Sequence, residues 1–160
     1  MDGMATDAKR TQAAAPPSGP PATEPVGRAL ASTAKLVSRA FERELAEAGG
    51  SQPVWLILLA LKQQSWRTQQ GIAAAVGIEG PTLTHHLDGL DKSGLIQRER
   101  DPKDRRAVRV ELTAAGDELF LELARAAGAF DQRLRAGLSD KQLDAFRSVV
   151  ARLRDNVAPE

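Results

Sequence analysis

Near the middle of the chain, Thr82, Thr84 and His85 alternate with Leu83, Leu87 and Leu90 at helical spacing, so short polar groups lie opposite an apolar stripe. A face meant only for solvent more often carries long Lys and Glu side chains. Short hydroxyls and an imidazole can instead enter a groove and reach base edges. Upstream, Thr68, Gln69 and Gln70 open another short helical pattern, where side chains and free backbone amides can hold a phosphate. Downstream, Arg98, Arg100, Lys103, Arg105, Arg106 and Arg109 outnumber Glu99, Asp101 and Asp104. Together these residues offer recognition of a polyanion whose bases must be read. Bond-making chemistry has no comparable support: the sequence holds no glycine-rich phosphate loop, no metal-ligand cluster and no nucleophile beside a base, so no enzyme is expected. His85 and His86 diverge around a helix and have no cysteine or third histidine to complete a metal site, and no cofactor is expected either.

Elements with clear start and stop signals must position these groups. Thr68 suits the cap of a helix over 69–76, whose Ile72, Ala73 and Val76 face inward, and Gly77 stops it. Ile78, Glu79 and Gly80 turn the chain into a second helix that begins at Pro81, which has no amide hydrogen to leave unpaired. Two helices joined by a tight turn containing glycine make a helix-turn-helix. Gly94 ends the second helix, and a strand over 95–100, a charged turn over 101–105 and a returning strand over 106–112 follow. In the return, Val108, Val110 and Leu112 alternate with Ala107, Arg109 and Glu111, the period of a strand with one buried face. Thr113 then caps a long helix. The predicted fold is mainly α (α+β), a winged helix-turn-helix.

Three motifs in order carry a resemblance: Gly94-Leu95-Ile96-Gln97-Arg98, then Asp101-Pro102-Lys103-Asp104-Arg105-Arg106, then Val110-Glu111-Leu112-Thr113-Ala114-Ala115-Gly116. Each is weak alone, but their order and spacing resemble the DNA-binding core of the MarR family of bacterial transcriptional regulators. That resemblance implies a homodimer placing two recognition helices in the major grooves of a pseudopalindromic operator, with the wings in or near the flanking minor grooves. It implies that Asp101 pairs with a turn arginine and holds the wing in shape. Arg105 matches the arginine that reaches the minor groove, with Arg106 as alternative reader or pairing partner and Lys103 beside them. A small third strand is implied at Trp66 and Arg67. His85 stands where many relatives have Arg or Lys, so groove shape and dimer spacing are expected to carry more of the specificity.

Around this centre, composition and pattern divide the chain. Residues 1–25 are rich in Ala, Pro, Gly and Thr and read as a disordered tail, in which Lys9 and Arg10 offer two charges for weak phosphate contact. Residues 26–50 and 113–157 read as a helical dimerisation region flanking the DNA-binding domain at 51–112. Leu30, Val37 and Phe41 line the first helix, and Leu143, Phe146, Val150 and Leu153 line the last; either stripe would also suit an ordinary intrachain core. The long terminal helices have no evident further layer inside one subunit, which favours burial against a second copy.

With 160 residues, a formal charge of +1 and no cysteine, the chain holds one modest core, attracts DNA only through where its charges sit, and excludes thiol sensing. No apolar run is long enough to span a bilayer, and a cytoplasmic location is expected. The predicted function is a sequence-specific repressor released by a small aromatic or phenolic ligand. Trp55, Trp66, Arg67 and His86 are the candidate ligand residues, with core packing the alternative for Trp55 and for His86. A winged-helix module that binds protein, or packages DNA without an operator, is the competing reading.

Overall fold

The computed structural model describes residues 23–63, 67–100 and 108–158. The expected tail at 1–25 falls almost wholly outside the described residues, as do Trp66, Asp101, Lys103, Arg105, Arg106 and the Arg67 side chain. The chain divides into two compact units, residues 1–36 and residues 37–160. In order, the elements are α1 (Val26–Glu47), α2 (Gln52–Gln63), β1 (Arg67–Thr68), α3 (Gln69–Val76), α4 (Gly80–Lys92), β2 (Ile96–Arg100), β3 (Val108–Leu112), α5 (Ala114–Leu134) and α6 (Asp140–Asp155).

Within the first unit, α1 begins just after Pro25, whose carbonyl accepts from the amides of Arg28 and Ala29. Val26, Leu30 and Leu36 are exposed there.

In the second unit, the winged part closes around one apolar cluster. Leu83, Leu87 and Leu90 of α4 meet Ile57 and Leu61 of α2, Ile72 of α3, Ile96 of β2 and Val110 of β3. Each such side chain contributes about 1.5 to 3 kcal/mol by leaving water. The three strands form an antiparallel sheet in the order β1-β3-β2, with Ile96 opposite Leu112 and Arg98 opposite Val110. The third strand implied by the family resemblance is thus present at Arg67 and Thr68, paired with Val110 and Arg109. A second cluster joins Leu45 of α1, Leu58 of α2 and Leu123 of α5, with Phe41, Trp55, Leu119 and Phe120 packed against it.

Local signals set most of the helix ends. The Thr68 hydroxyl accepts from the amide of Gly71, and Ser139 with Gln142 forms a capping box at the start of α6. At the start of α2 the Gln52 amide donates to Glu42 Oε2 of α1 at 2.8 Å, while Ser51 Oγ accepts from the Val54 amide at 3.4 Å. Gly94, at φ +69, takes the left-handed geometry that ends α4. Leu95 is not yet strand; its amide donates to Leu90 O and its carbonyl accepts from Thr113 N. Thr113 Oγ1 also donates to Gly94 O at 2.6 Å, and a Cβ placed on Gly116 would stand 2.0 Å from Leu95 O. The start of α5 therefore rests directly on the backbone between α4 and β2, a contact only glycine permits. Gly128, further along the same helix, has open space where a side chain would go. Helix α5 ends at Leu134, before Gly137.

Candidate nucleic-acid interface

Pro81, Thr82 and His85 are exposed on α4, opposite the fully buried Leu83 and Leu87. The polar and apolar sides of this helix separate as its spacing predicts, because the core takes every third or fourth residue. Thr84 is half-buried and already engaged. Its hydroxyl donates to Gly80 O at 2.9 Å and accepts from Gln69 Nε2 at 2.5 Å. A hydroxyl has one proton to give, so the Thr84 donor is spent inside the protein and only a lone pair is left for a base. The same pair of side chains ties α3 to α4 and sets the angle of the helix-turn-helix. Gln70 and Thr68 remain exposed at the start of α3.

The strand that leads to the wing carries a contact the charge balance concealed. Arg98 shares a sheet face with the buried Ile96 and Val110, so its guanidinium points toward the helices rather than outward. There Nη2 donates to Asp88 Oδ1 at 2.8 Å, and Nε lies 3.7 Å from Asp91 Oδ2, an ion pair too long for a hydrogen bond. Asp88, on the polar part of α4, is therefore engaged by its own chain. One arginine of the basic excess is spent the same way. Strand parity was the available signal: Arg98 falls two residues after the core residue Ile96.

Behind α4 lies an open cleft of about 300 Å³, lined by Gly49, Val54, His85, His86, Gly89, Leu90, Ser93, Leu95 and Leu119. The two imidazoles sit with ring centroids 6.0 Å apart, tilted by 60°. Among the described candidates for ligand contact, His86 borders this cleft and Trp55 does not. Trp55 is stacked on Phe120 at 5.6 Å with an interplanar angle of 12°, as part of the second cluster. His85 and Ser93 line the cleft without having been singled out for it. Helical spacing alone cannot show that the end of α1 and Leu119 of α5 come alongside them.

The helices read as dimerising differ in how much of their apolar surface is already covered. Phe41 packs against Phe130 at 5.1 Å, and Val37 is half-buried. Helix α6 buries none of its residues: Phe146 is 62% exposed and Val149 56%, with Leu143, Val150 and Leu153 half-covered. Among the described residues, no helix is long and apolar enough to cross a membrane.

This arrangement has close structural counterparts. The chain is 33% identical to the transcriptional regulator PA3341 over 82% of its own length and 96% of that protein, with a TM-score of 0.69. It is 29% identical to the transcriptional repressor CouR, solved bound to a 23-mer DNA duplex, over 81% of this chain and 92% of that one, at a TM-score of 0.75. Similarity to BpsR of Bordetella bronchiseptica, whose DNA binding is regulated by 6-hydroxynicotinic acid, is 25% in identity with a TM-score of 0.75, covering 86% and 99% of the two chains. The MarR family profile matches residues 51–108, the span from α2 to the first residue of β3. With a helix-turn-helix, a wing strand pair and a third strand closing the sheet, the chain belongs to the MarR family and is a DNA-binding transcriptional regulator.

Proposed function

We propose that the chain acts as a homodimeric repressor of a pseudopalindromic operator, released by a small aromatic or phenolic acid. The observation that carries the dimer is α6, an amphipathic helix whose apolar side, at Phe146 and Val149, is left exposed among the described residues. Surface of this kind is stable in water when a second copy covers it. Leu30 on α1 and Leu143, Val150 and Leu153 on α6 join it in this reading. On DNA, Thr82 and His85 reach into the major groove, Thr68 and Gln70 hold phosphates, and Gln69 and Thr84 set the helix pair. Lys103, Arg105 and Arg106 in the wing turn contact the minor groove or its phosphates, with Asp101 holding the turn in shape. A narrow A·T-rich groove favours an inserted guanidinium.

The cleft behind α4 supports a ligand response in which His85 and His86 are the contacts, while Trp55 packs on Phe120. Its apolar lining of Val54, Leu90, Leu95 and Leu119 suits a ring, while two imidazoles and Ser93 suit carboxylate or phenol oxygens. BpsR, which responds to a hydroxylated aromatic acid, is a relative of matching fold. Such a ligand acts only if it binds the DNA-compatible and incompatible dimers unequally. Because His85 belongs both to the cleft and to the exposed side of α4, an occupant engages the reading helix directly.

Sedimentation equilibrium at micromolar concentration tests the assembly; two chains are expected, and a monomer overturns it. Titration of the protein–operator complex with hydroxylated aromatic acids tests the response. Release of the operator is expected, to be lost in His86→Ala, and release unchanged in that variant would place the ligand elsewhere.

A further inference from the structure

Arg98 is an anomaly in its strand. Wing strands carry their charge outward, yet this guanidinium lies on the same sheet face as Ile96 and Val110, with a side chain only 21% exposed. It reaches two carboxylates one turn apart on α4, Asp88 and Asp91. Those carboxylates are about half exposed and stand on the helix that must approach a polyanion. Left unpaired, they would repel the phosphates that α4 has to pass between.

We propose that Arg98 is a positioning residue for DNA reading: bonded to Asp88 and within ion-pair distance of Asp91, its guanidinium sets α4 against the wing strand and offsets one of the two negative charges on that helix. The inference rests on α4 being the helix that reads DNA. It separates two effects that a phosphate-binding arginine would not. The clamp fixes the angle at which Thr82 and His85 meet base edges, so its loss erodes discrimination between sequences. Cancelled charge acts on every duplex alike, so its loss weakens random and specific binding together. Arginine is suited to the task because its planar guanidinium donates to Asp88 in a fixed direction while staying within ion-pair distance of Asp91; a lysine ammonium restores the charge but not that geometry.

The test compares affinity for an operator selected by the wild-type protein from random duplexes with affinity for a random-sequence duplex of equal length. Arg98→Gln should lower both, and should lower the operator-to-random ratio by about tenfold, the scale of coupling within one ion-pair network. Asp88→Asn should lower the ratio by a similar factor while random-duplex affinity holds or rises, since Arg98 is then freed. The double variant should show a ratio no worse than either single change. Arg98→Lys should recover random-duplex affinity and leave the ratio low. Arg98 acting instead as a direct phosphate contact would show as a raised operator affinity in Asp88→Asn with the ratio intact, and that result overturns the clamp alone. Equal loss on both duplexes in every variant, together with a lowered unfolding midpoint, reduces the ion pairs to fold stability and also overturns it. A wild-type protein with no preference among duplexes overturns the reading role of α4 and the proposal with it.

Discussion

Helices α4 and α6 have similar sequence patterns and opposite fates. Both are amphipathic, begin with clear signals and carry large apolar side chains at intervals of three and four. In α4 those side chains are sealed: Leu83 and Leu87 are fully buried and Leu90 nearly so, against residues from α2, α3 and the sheet. In α6 no side chain is buried and Phe146 stands in the open. Periodicity states which side of a helix needs covering, and says nothing about what covers it. In the proposed assembly, the helix whose pattern is satisfied inside the chain would present its polar side for reading, and the helix left unsatisfied would present its apolar side to a second copy.

Substitutions on the two helices and their caps should separate burial within the chain from burial between chains. Leu87→Ala removes a fully buried side chain and should lower the free energy of unfolding by about 2 to 5 kcal/mol, in denaturant titrations that do not depend on the mutated core meeting a second chain. A loss under about 1 kcal/mol would mean that the α4 core is loosely packed. Next in size is Gly116→Ala, whose methyl group meets the Leu95 carbonyl; about 1 to 3 kcal/mol should be lost, and operator binding should suffer beyond what stability explains, because the joint between α4, β2 and α5 must shift. Unaltered stability there would show that this joint yields freely. Ser139→Ala breaks the capping box at the start of α6 and should cost about 1 kcal/mol, read as a drop in the unfolding midpoint.

The smallest effect on the fold of one chain is expected from Phe146→Glu combined with Val150→Glu, within about 0.5 kcal/mol for an unassembled subunit, as is usual for surface positions. Its effect on assembly should be the reverse: the sedimenting species becomes one chain, the unfolding midpoint stops rising with protein concentration, and operator binding falls. A variant that stays dimeric removes α6 from the interface and leaves its exposed side without a role.

Features governed by neighbours along the chain are legible in the sequence alone. Thr68 and Ser139 cap their helices, Gly94 ends α4, and Leu83, Leu87 and Leu90 share a buried side, because caps, turns and helical faces depend on residues within about one turn of each other. The order of helix, turn, helix and wing follows from the same rules and carries the family resemblance with it. Contacts between distant residues are not legible. Nothing near Gln52 announces that Glu42 will cap α2, and nothing near Gly116 announces the Leu95 carbonyl beneath it. Arg98 counts as wing charge until the sheet places it on the core side, within reach of Asp88. Trp55 suits a ligand by its chemistry, yet Phe120 from α5 occupies its face, and the cleft opens instead beside His85 and His86. The sequence by itself determined the elements, most of their ends and which side of each is apolar. Only the tertiary structure decided which charges cancel and where a cavity remains, since those depend on the distances between side chains that separate elements bring together.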